Sequence, residues 1–542
     1  MKRRTILGGM LAIGTASVAV AAIAFAAGPS KANPQDGAER FLKSPVARYL
    51  TPAARSAVER VARGDRSLTA AAERIDVANA AGAGAAAPAQ AQPAAAPRVF
   101  GNVRVNNPAA DTQTDQTTQS EATLAVSGRS VVAGFNDSQH TLLSLTAATN
   151  LSGYAFSGDG GATWTDGGVI PNRPGFMNVG DPWLTTDRAS SFYYSTLALD
   201  GRFNLQIGVA KSTDSGRTFA APMIASSPPA GGVFYVGDKE AMASGPDPAA
   251  KAHDNLYVAW DDFSVDASFN LTLGLPVARS TDGGATWQIT YADKNVFDFA
   301  STTFTQYFGA QPIVDPADGT LYVASEKIVS DAVANSVTRS EVVFRSTDGG
   351  VTFGPGVTIA EVTEAAPNSV LDLEPGRAIR TAEFPTPALL RGTLWVAWND
   401  GAAGSSHIRL AKSPDGGATW TSRFVTAGGG TDLQPALTAD RRGLHLLYYH
   451  VNPDSSIDVR VSNSPTGEAF ETRTVTSASF RGSLNLPQFD PIIAQAYMGD
   501  YIANATDGRN QYFAWGDNRD TVRNFLWPDG RNDPNVYFAR QG

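Results

Sequence analysis

The feature that most constrains the fold of this 542-residue chain is an octet that recurs at near-constant spacing. It reads Ser-x-Asp-(Gly/Ser)-Gly-x-Thr-(Trp/Phe), and its five copies begin at Ser157, Ser212, Ser280, Ser346 and Ser413. Successive starts are therefore 55, 68, 66 and 67 residues apart. A degenerate sixth copy at residues 463–470 keeps one glycine and the final aromatic residue. Repetition at this period predicts a chain built from similar units, one for each copy.

Each octet has the chemistry of a tight hairpin turn. Its glycines can adopt the positive φ angles that such turns need. Its Asp carboxylate and Ser hydroxyl can accept hydrogen bonds from the N–H groups of the turn. Strand-like apolar runs precede the copies, for example residues 275–279 and 341–345. We therefore assign a structural role to the octet aspartates, which are Asp159, Asp214, Asp282, Asp348 and Asp415.

These octets resemble the Asp-box, or BNR, repeats of the sialidase superfamily, in a bacterial secreted form. The resemblance covers roughly residues 98–542. It implies a β-propeller, in which the box is the turn between the third and fourth strands of each blade. It also implies that the boxes hold hairpins together and take no part in catalysis.

A second repeated element is an aromatic-rich strand, and it occurs seven times. The copies are residues 131–137, 192–198, 256–262, 321–327, 394–400, 444–450 and 511–517. The predicted fold class is all-β, a propeller of four-stranded blades, with seven blades favoured and six blades plus a hairpin as the alternative. The seventh unit lacks a fourth strand, which residues 98–105 could supply, and this pairing would remove an exposed sheet edge.

The amino-acid composition argues against several classes of partner and reaction. The net charge is −9 and no run of Lys or Arg stands out, which argues against a nucleic-acid partner. Cysteine is absent, so disulfides, thiol nucleophiles and thiolate metal sites are excluded. The five histidines are scattered and form no short metal-binding motif. We expect a monomer that requires no cofactor.

The N-terminus has the pattern of a signal peptide. Lys2, Arg3 and Arg4 precede an apolar stretch over residues 6–26, which predicts export to the periplasm or the medium. An uncleaved membrane anchor is the alternative. The predicted organisation is a signal peptide (1–26), a short helical or poorly ordered segment (27–79), an Ala/Pro/Gln-rich linker (80–97) and the propeller (98–542).

Acidic residues are expected on the face opposite the octets. In a propeller the innermost strand starts, and the second strand ends, on that face. Crowded carboxyl groups raise one another's pKa, which suits general acid–base catalysis, and they could also bind calcium. Capping of strand ends is the structural alternative. The catalytic candidates at the innermost strands are Glu121, Asp181, Asp238, Asp500 and Tyr501.

Further candidates for substrate binding lie at the ends of second strands and in two long loops, over residues 365–385 and 477–498. Arginines in these positions could clamp a carboxylate with paired hydrogen bonds. Ordinary ion pairs with the acidic rim are the alternative. These candidates are Asp262, Asp400, Asp517, His450, Arg380, Arg481 and Arg519.

The chain departs from the sialidase pattern in one respect. Members of that family bind the sugar carboxylate with three arginines, and the first arginine usually lies in a Phe/Tyr-Arg-Ile-Pro motif before the first box. That motif is absent here. Two hypotheses therefore remain for a chain whose expected partner is a glycan or glycoconjugate. One is a glycoside hydrolase of exo-sialidase-like type, and the other is a non-catalytic propeller that binds glycan or protein.

Overall fold

The computed structural model describes twelve ranges of the chain: 101–108, 118–138, 150–202, 204–232, 234–266, 271–296, 303–331, 336–366, 369–402, 405–484, 498–523 and 528–542. The predicted signal peptide (1–26), helical segment (27–79) and linker (80–97) lie outside these ranges. Within them, no helix is long and apolar enough to cross a membrane.

The described chain is all-β and contains 33 strands, numbered here along the sequence. Strand β1 is Val103–Arg104. Sheet I contains β2 (Gln119–Ser127), β3 (Ser130–Asp137), β4 (Ser152–Ser157) and β5 (Thr165–Val169). Sheet II contains β6 (Phe176–Asn178), β7 (Trp183–Thr186), β8 (Phe192–Asp200), β9 (Leu205–Ser212) and β10 (Met223–Ile224). Sheet III contains β11 (Phe234–Pro246), β12 (Asp254–Val265), β13 (Leu271–Ser280) and β14 (Gln288–Val296).

Strands β15 to β33 form the second half of the described chain. Sheet IV contains β15 (Thr303–Val314), β16 (Leu321–Asp331), β17 (Ser336–Ser346) and β18 (Val357–Glu361). A hairpin follows, formed by β19 (Val370–Glu374) and β20 (Arg377–Arg380). Sheet V contains β21 (Thr386–Leu390), β22 (Thr393–Ala402), β23 (Ser405–Ser413) and β24 (Thr421–Phe424). Sheet VI contains β25 (Thr431–Asp440), β26 (Gly443–Val451), β27 (Ser456–Ser464), β28 (Glu471–Thr474) and β29 (Phe480–Arg481). The last strands are β30 (Ser483–Leu484), β31 (Ala503–Thr506), β32 (Gln511–Val522) and β33 (Arg531–Gln541).

Neighbouring strands within each sheet pair antiparallel, and the sheets contact one another in chain order. Among the described strands, a single parallel pair, Val236 with Leu205, joins sheets II and III along β11 and β9. The innermost strand of each sheet contacts the innermost strand of the next, and β31 contacts β2. Strand β1 pairs with β33, with Val103 opposite Phe538, and so completes sheet VII as the order β1-β33-β32-β31. This is the arrangement of a β-propeller, and the early segment of the chain occupies the predicted closing position.

The core lies between adjacent sheets. The seven predicted aromatic segments are all second strands, and each is covered on both faces. Every residue of β26, for example, is buried. Trp260, Trp398 and Trp515 are the largest side chains with almost no exposed surface. Because burial of aromatic side chains removes the most apolar area per residue, these strands anchor the packing.

The octets form the hairpins between third and fourth strands, as predicted. In the third copy, Ser280 Oγ accepts the Gly284 N–H at 2.8 Å and donates to Asp282 Oδ1 at 2.8 Å. The Asp282 carboxylate also accepts the Thr286 hydroxyl at 2.6 Å. In the degenerate copy the register shifts by one residue, because Ser464, rather than Asn463, accepts the Gly467 N–H at 2.8 Å.

Two predictions about the face opposite the octets are wrong in detail. The described part of the predicted loop over residues 365–385 contains the β19–β20 hairpin, which pairs with β30. Several innermost strands also start earlier than predicted, for example β11 at Phe234 instead of Asp238. The reason is a β-bulge, which adds a residue to the strand and breaks the alternating pattern on which a sequence reading depends.

Candidate functional site

Bulges at the innermost strands place several predicted residues side by side. In sheets I and III the register shifts between Ser120 and Thr123 and between Asp238 and Ala241. Glu121 and Lys239, inside those bulges, have left-handed φ angles of 53° and 50°. This conformation is uncommon for residues other than glycine, and it marks a backbone position held by its surroundings.

Three carboxylates from three sheets meet at one ammonium. Lys239 Nζ lies 2.7 Å from Asp500 Oδ2, 2.8 Å from Asp181 Oδ2 and 3.5 Å from Glu121 Oε1. Arg380 Nη1 contacts the same Asp500 oxygen at 2.8 Å. We call these five residues the central acid cluster. It joins sheets I, II, III and VII with the β19–β20 hairpin.

Hydrogen bonds from the backbone and from amide side chains fix this cluster. Asn136 Nδ2 donates to Glu121 Oε2 at 2.8 Å, while Asn136 Oδ1 accepts the Asp181 N–H at 2.7 Å. The Asp500 N–H donates to Glu121 Oε1 at 3.2 Å. The Tyr501 hydroxyl donates to the Pro182 carbonyl oxygen at 2.8 Å. Tyr501 thus links sheets VII and II.

The environment separates the acids of the cluster by pKa. Burial raises the pKa of Glu121 well above its usual range, and the neighbouring Asp181 adds to the effect. Burial alone would also raise the pKa of Asp500, but Arg380 and Lys239 outweigh it and hold that pKa well below its usual range. Asp238 accepts the Lys239 N–H at 2.8 Å, and its pKa is raised to about 6, chiefly by burial. One site therefore contains acids whose pKa values are displaced in opposite directions.

The carboxyl groups of the central acid cluster are already engaged by Lys239, Arg380 and Asn136. Within the ranges that the structure covers, no group of three or more His, Asp or Glu side chains is placed to hold a metal ion. The calcium considered from the sequence therefore has no ligand set in that part of the chain.

The remaining predicted residues do not join this cluster. Asp400 pairs with Arg409 at 2.8 Å, and Asp517 pairs with Arg519 at 2.6 Å. Burial raises the pKa of Asp262 to about 7, and its carboxylate accepts the Tyr291 hydroxyl. Each of these acids therefore has a partner within its own sheet.

The other two substrate-binding candidates are also held by local contacts. His450 Nδ1 contacts Asp432 Oδ1 at 2.7 Å, and His407 Nδ1 contacts the other oxygen of Asp432 at 3.0 Å. Arg481 donates to the Asp454 carbonyl oxygen and is 41% exposed at its side chain. The predicted ring of acids is thus one central acid cluster surrounded by separate pairs.

A second group of buried acids escaped prediction. Glu326, Glu341 and Glu383 lie between sheets IV and V with Arg339. Arg339 Nη1 pairs with Glu326 at 2.8 Å, whereas neither oxygen of the buried Glu341 has a hydrogen-bond partner. Burial raises the pKa of Glu341 and Glu383 well above the usual range. Glu341 directly precedes the continuous apolar run Val342 to Phe344, so no alternation along the strand reveals its inward orientation in the sequence.

Two more acids lie beside Lys239 and were not predicted as site residues. Asp261 is the cross-strand partner of Asp238, and Glu240 follows Lys239 in the bulge. Both side chains are buried, and their pKa values are raised well above the usual range by burial first and by neighbouring acids second. Because a cross-strand partner lies far away in sequence, only the strand register reveals the Asp238–Asp261 pair.

No protein-family model and no curated protein matches this chain. Several solved structures resemble it at low identity. A Hadza microbial sialidase is 14% identical, with 83% of this chain and 95% of that one covered and a TM-score of 0.39. An α-L-arabinanase from Penicillium chrysogenum is also 14% identical, with 67% and 93% covered and a TM-score of 0.39. The NanB sialidase from Streptococcus pneumoniae is 10% identical, with 76% and 83% covered and a TM-score of 0.40.

Proposed function

We propose that this protein is an exported carbohydrate-acting propeller that hydrolyses glycosidic bonds at the central acid cluster. The observation that carries the proposal is the opposite displacement of two pKa values within one site, upward for Glu121 and downward for Asp500. Glycoside hydrolysis uses such a pair, in which one carboxyl group donates a proton and the other stays ionised.

The roles follow from the contacts. Glu121, whose pKa is raised by burial, is the proton donor to the leaving oxygen. Asp500 is ionised, and it stabilises the positive charge that develops on the sugar or activates water. Glu121 and Asp500 both contact Lys239 Nζ, at 3.5 and 2.7 Å, so these two oxygens lie at most about 6 Å apart, which allows the separation of about 5–5.5 Å found in retaining glycosidases.

A second candidate is a non-catalytic propeller that binds glycan or protein. It is favoured by the pairing of the acids with Lys239 and Arg380, because satisfied buried ion pairs also serve as structural links between sheets. In that case the central acid cluster would hold the sheets together, and its loss would lower stability without affecting any reaction.

The finer architecture belongs to the same proposal. We assign one blade to each innermost strand that takes part in the closed series of contacts, which makes seven blades. The octets then correspond to sialidase-type Asp boxes, in the turn between third and fourth strands. Residues 1–26 direct export, residues 80–97 form a linker, and the protein acts as a monomer.

The test is turnover of a panel of fluorogenic glycosides, including sialosides and α-L-arabinofuranosides, by the full chain. We expect at least one substrate to be cleaved, and Glu121→Gln and Asp500→Asn to lower kcat by at least about 100-fold, as expected for loss of a general acid or a charge-stabilising carboxylate. Asp282→Asn, in an octet on the opposite face, is the matched control and should keep full turnover. Thermal unfolding of each variant separates lost chemistry from lost folding.

Two outcomes would contradict the hydrolase. Turnover that survives both Glu121→Gln and Asp500→Asn would show that the reaction takes place at a site other than the central acid cluster. No turnover of any glycoside by a folded protein would favour the binding propeller instead.

A further inference from the structure

The octet hairpins pack on the preceding sheet in a regular way. A Cβ added at Gly350 would lie 3.2 Å from Tyr257, and one added at Gly467 would lie 2.4 Å from Trp395. Tyr257 directly follows Leu256, the second-strand residue that pairs with an octet serine, Ser280. In the preceding sheet, one second-strand residue pairs with the octet serine. Each of these hairpins therefore covers the residue that directly follows it.

In sheet VI this position belongs to His445. It directly follows Leu444, which pairs with Ser464. The hairpin that would cover it would have to come from sheet VII. There β33 has β32 on one side and β1 on the other, so no octet connects β33 to its outer neighbour among the described residues. The closure of the ring thus leaves His445 without the cover found at other sheets.

A cavity of about 470 Å³ lies at this junction. Its lining includes His445, Gln511, Gln541, Phe470, Arg442 and Arg473. Sites for small molecules typically measure about 300–1,000 Å³ and combine apolar surface with a few polar groups. The cavity is thus large enough for a small ligand, and it lies on the octet face, away from the central acid cluster.

Buried polar groups in the cavity wall are partly unsatisfied. His445 is 3% exposed, and its Nδ1 lies 2.8 Å from Gln511 Nε2 and 2.7 Å from Asn463 Oδ1, while its Nε2 lies 3.0 Å from Asp440 Oδ1. The contact through Gln511 Nε2 leaves Gln511 Oε1 buried with no hydrogen-bond partner, and Gln541 Oε1 is in the same condition. Since buried polar atoms in proteins nearly always have a partner, we expect these two amides to turn toward a ligand in the cavity that supplies one.

The charges at the cavity are balanced. The Arg442 guanidinium donates two hydrogen bonds to Asp440 Oδ2, at 2.9 and 3.1 Å, and one to the Arg509 carbonyl oxygen at 2.6 Å. Arg473 pairs with Glu471 at 2.7 Å. Each guanidinium therefore already has a carboxylate partner, so the wall carries no unbalanced positive charge and suits a neutral ligand.

From these contacts we propose that the cavity is a binding site for a neutral saccharide. A hydroxyl group can donate and accept, so a sugar satisfies an amide in either orientation of its oxygen and nitrogen. The half-buried ring of Phe470 supplies an apolar surface for the C–H face of the sugar. The site is separate from the proposed hydrolytic site and would hold a glycan to the opposite face.

The test is ligand-observed NMR and calorimetry on the full chain with glucose, galactose, mannose, xylose and arabinose. We expect at least one of these sugars to bind. Ala469→Trp, in the cavity wall, should weaken that binding at least tenfold, because the indole fills the space. Ala418→Trp, in the corresponding exposed turn of sheet V, is the matched control and should leave it unchanged.

Two further variants separate this site from others. Gln511→Leu should also weaken binding about tenfold, with folding checked by thermal unfolding. Glu121→Gln should leave binding intact, and Ala469→Trp should leave turnover of glycosides intact, so the two proposals can fail independently. Absence of binding by all five sugars, or binding that Ala469→Trp does not weaken, would overturn the inference. Tighter binding of glucose 6-phosphate than of glucose would overturn the neutral assignment.

Discussion

The octet aspartates and the central acid cluster place the same functional group in opposite environments at opposite ends of the sheets. Hydrogen bonds from Thr286 and Ser280 lower the pKa of Asp282 to about 2, although partial burial opposes them. Burial raises the pKa of Glu121 well above its usual range. All donors of the octet lie within eight residues, whereas the Asp500 N–H that bonds Glu121 is 379 residues away in sequence. The octet is a local structure repeated, while the cluster exists only when the ring is closed.

From this comparison we predict that the free energy of unfolding falls most when the central acid cluster loses Lys239. Lys239→Met removes the ammonium that three buried carboxylates share. Uncompensated buried charge typically costs about 3–5 kcal/mol, and we expect a loss of that size in the free energy of unfolding. Urea denaturation followed by tryptophan fluorescence measures it.

Lys412→Met is the matched control for this prediction. Lys412 also forms an ion pair, with Glu468 at 2.5 Å, but its side chain is 42% exposed. Exposed pairs contribute about 0–1 kcal/mol, so this variant should lose little. Equal losses in the two variants would show that the cluster is not a buried network.

A smaller effect should distinguish a complete octet from the degenerate one. Ser280→Ala removes an acceptor for the Gly284 N–H and a donor to Asp282, both at 2.8 Å, and should cost about 1–3 kcal/mol. Ser464→Ala removes an acceptor for Gly467 alone and should cost about 1 kcal/mol or less. The same denaturation experiment compares them, and a larger loss for Ser464→Ala would contradict the view that the Asp strengthens the turn.

The sequence predicted what is local and missed what depends on distant contacts. The octets and the aromatic second strands are visible because spacing and turn chemistry lie within one unit. The position of Arg380 beside Asp500, 120 residues apart, depends on the β19–β20 hairpin, where the sequence predicted a loop. Glu341 was read as part of an apolar strand, because neither charge nor spacing shows that its face meets sheet V.

Strand starts were also misplaced for a physical reason. A bulge adds one residue without changing the apolar pattern around it, so a count of alternating residues fails at that point. The residue types at the site were thus predictable, whereas their register and their partners were not.

The last contrast concerns the pH dependence of stability, where the two regions should act in opposite directions. The pKa of Asp238 is raised to about 6, against about 3.9 in an unfolded chain, so the folded state binds the extra proton between these values. Stability from this group is therefore present at low pH and is lost as pH rises from about 4 to 6. For Asp282, whose pKa is lowered to about 2, stability is present above about pH 4 and is lost as pH falls toward 2.

Variants at these two positions test the opposite signs directly. In Asp238→Asn the unfolding free energy relative to the wild type should increase as pH rises from 4 to 6 and then level off, because the variant lacks the group whose ionisation destabilises the fold. In Asp282→Asn the deficit relative to the wild type should be constant above pH 4 and shrink toward pH 2. Chemical denaturation at half-unit pH intervals gives both curves. A difference between wild type and Asp238→Asn that stays flat from pH 4 to 7 would mean that this carboxyl is solvated like an octet aspartate, and the contrast between the two faces would then rest on Glu121 and its neighbours alone.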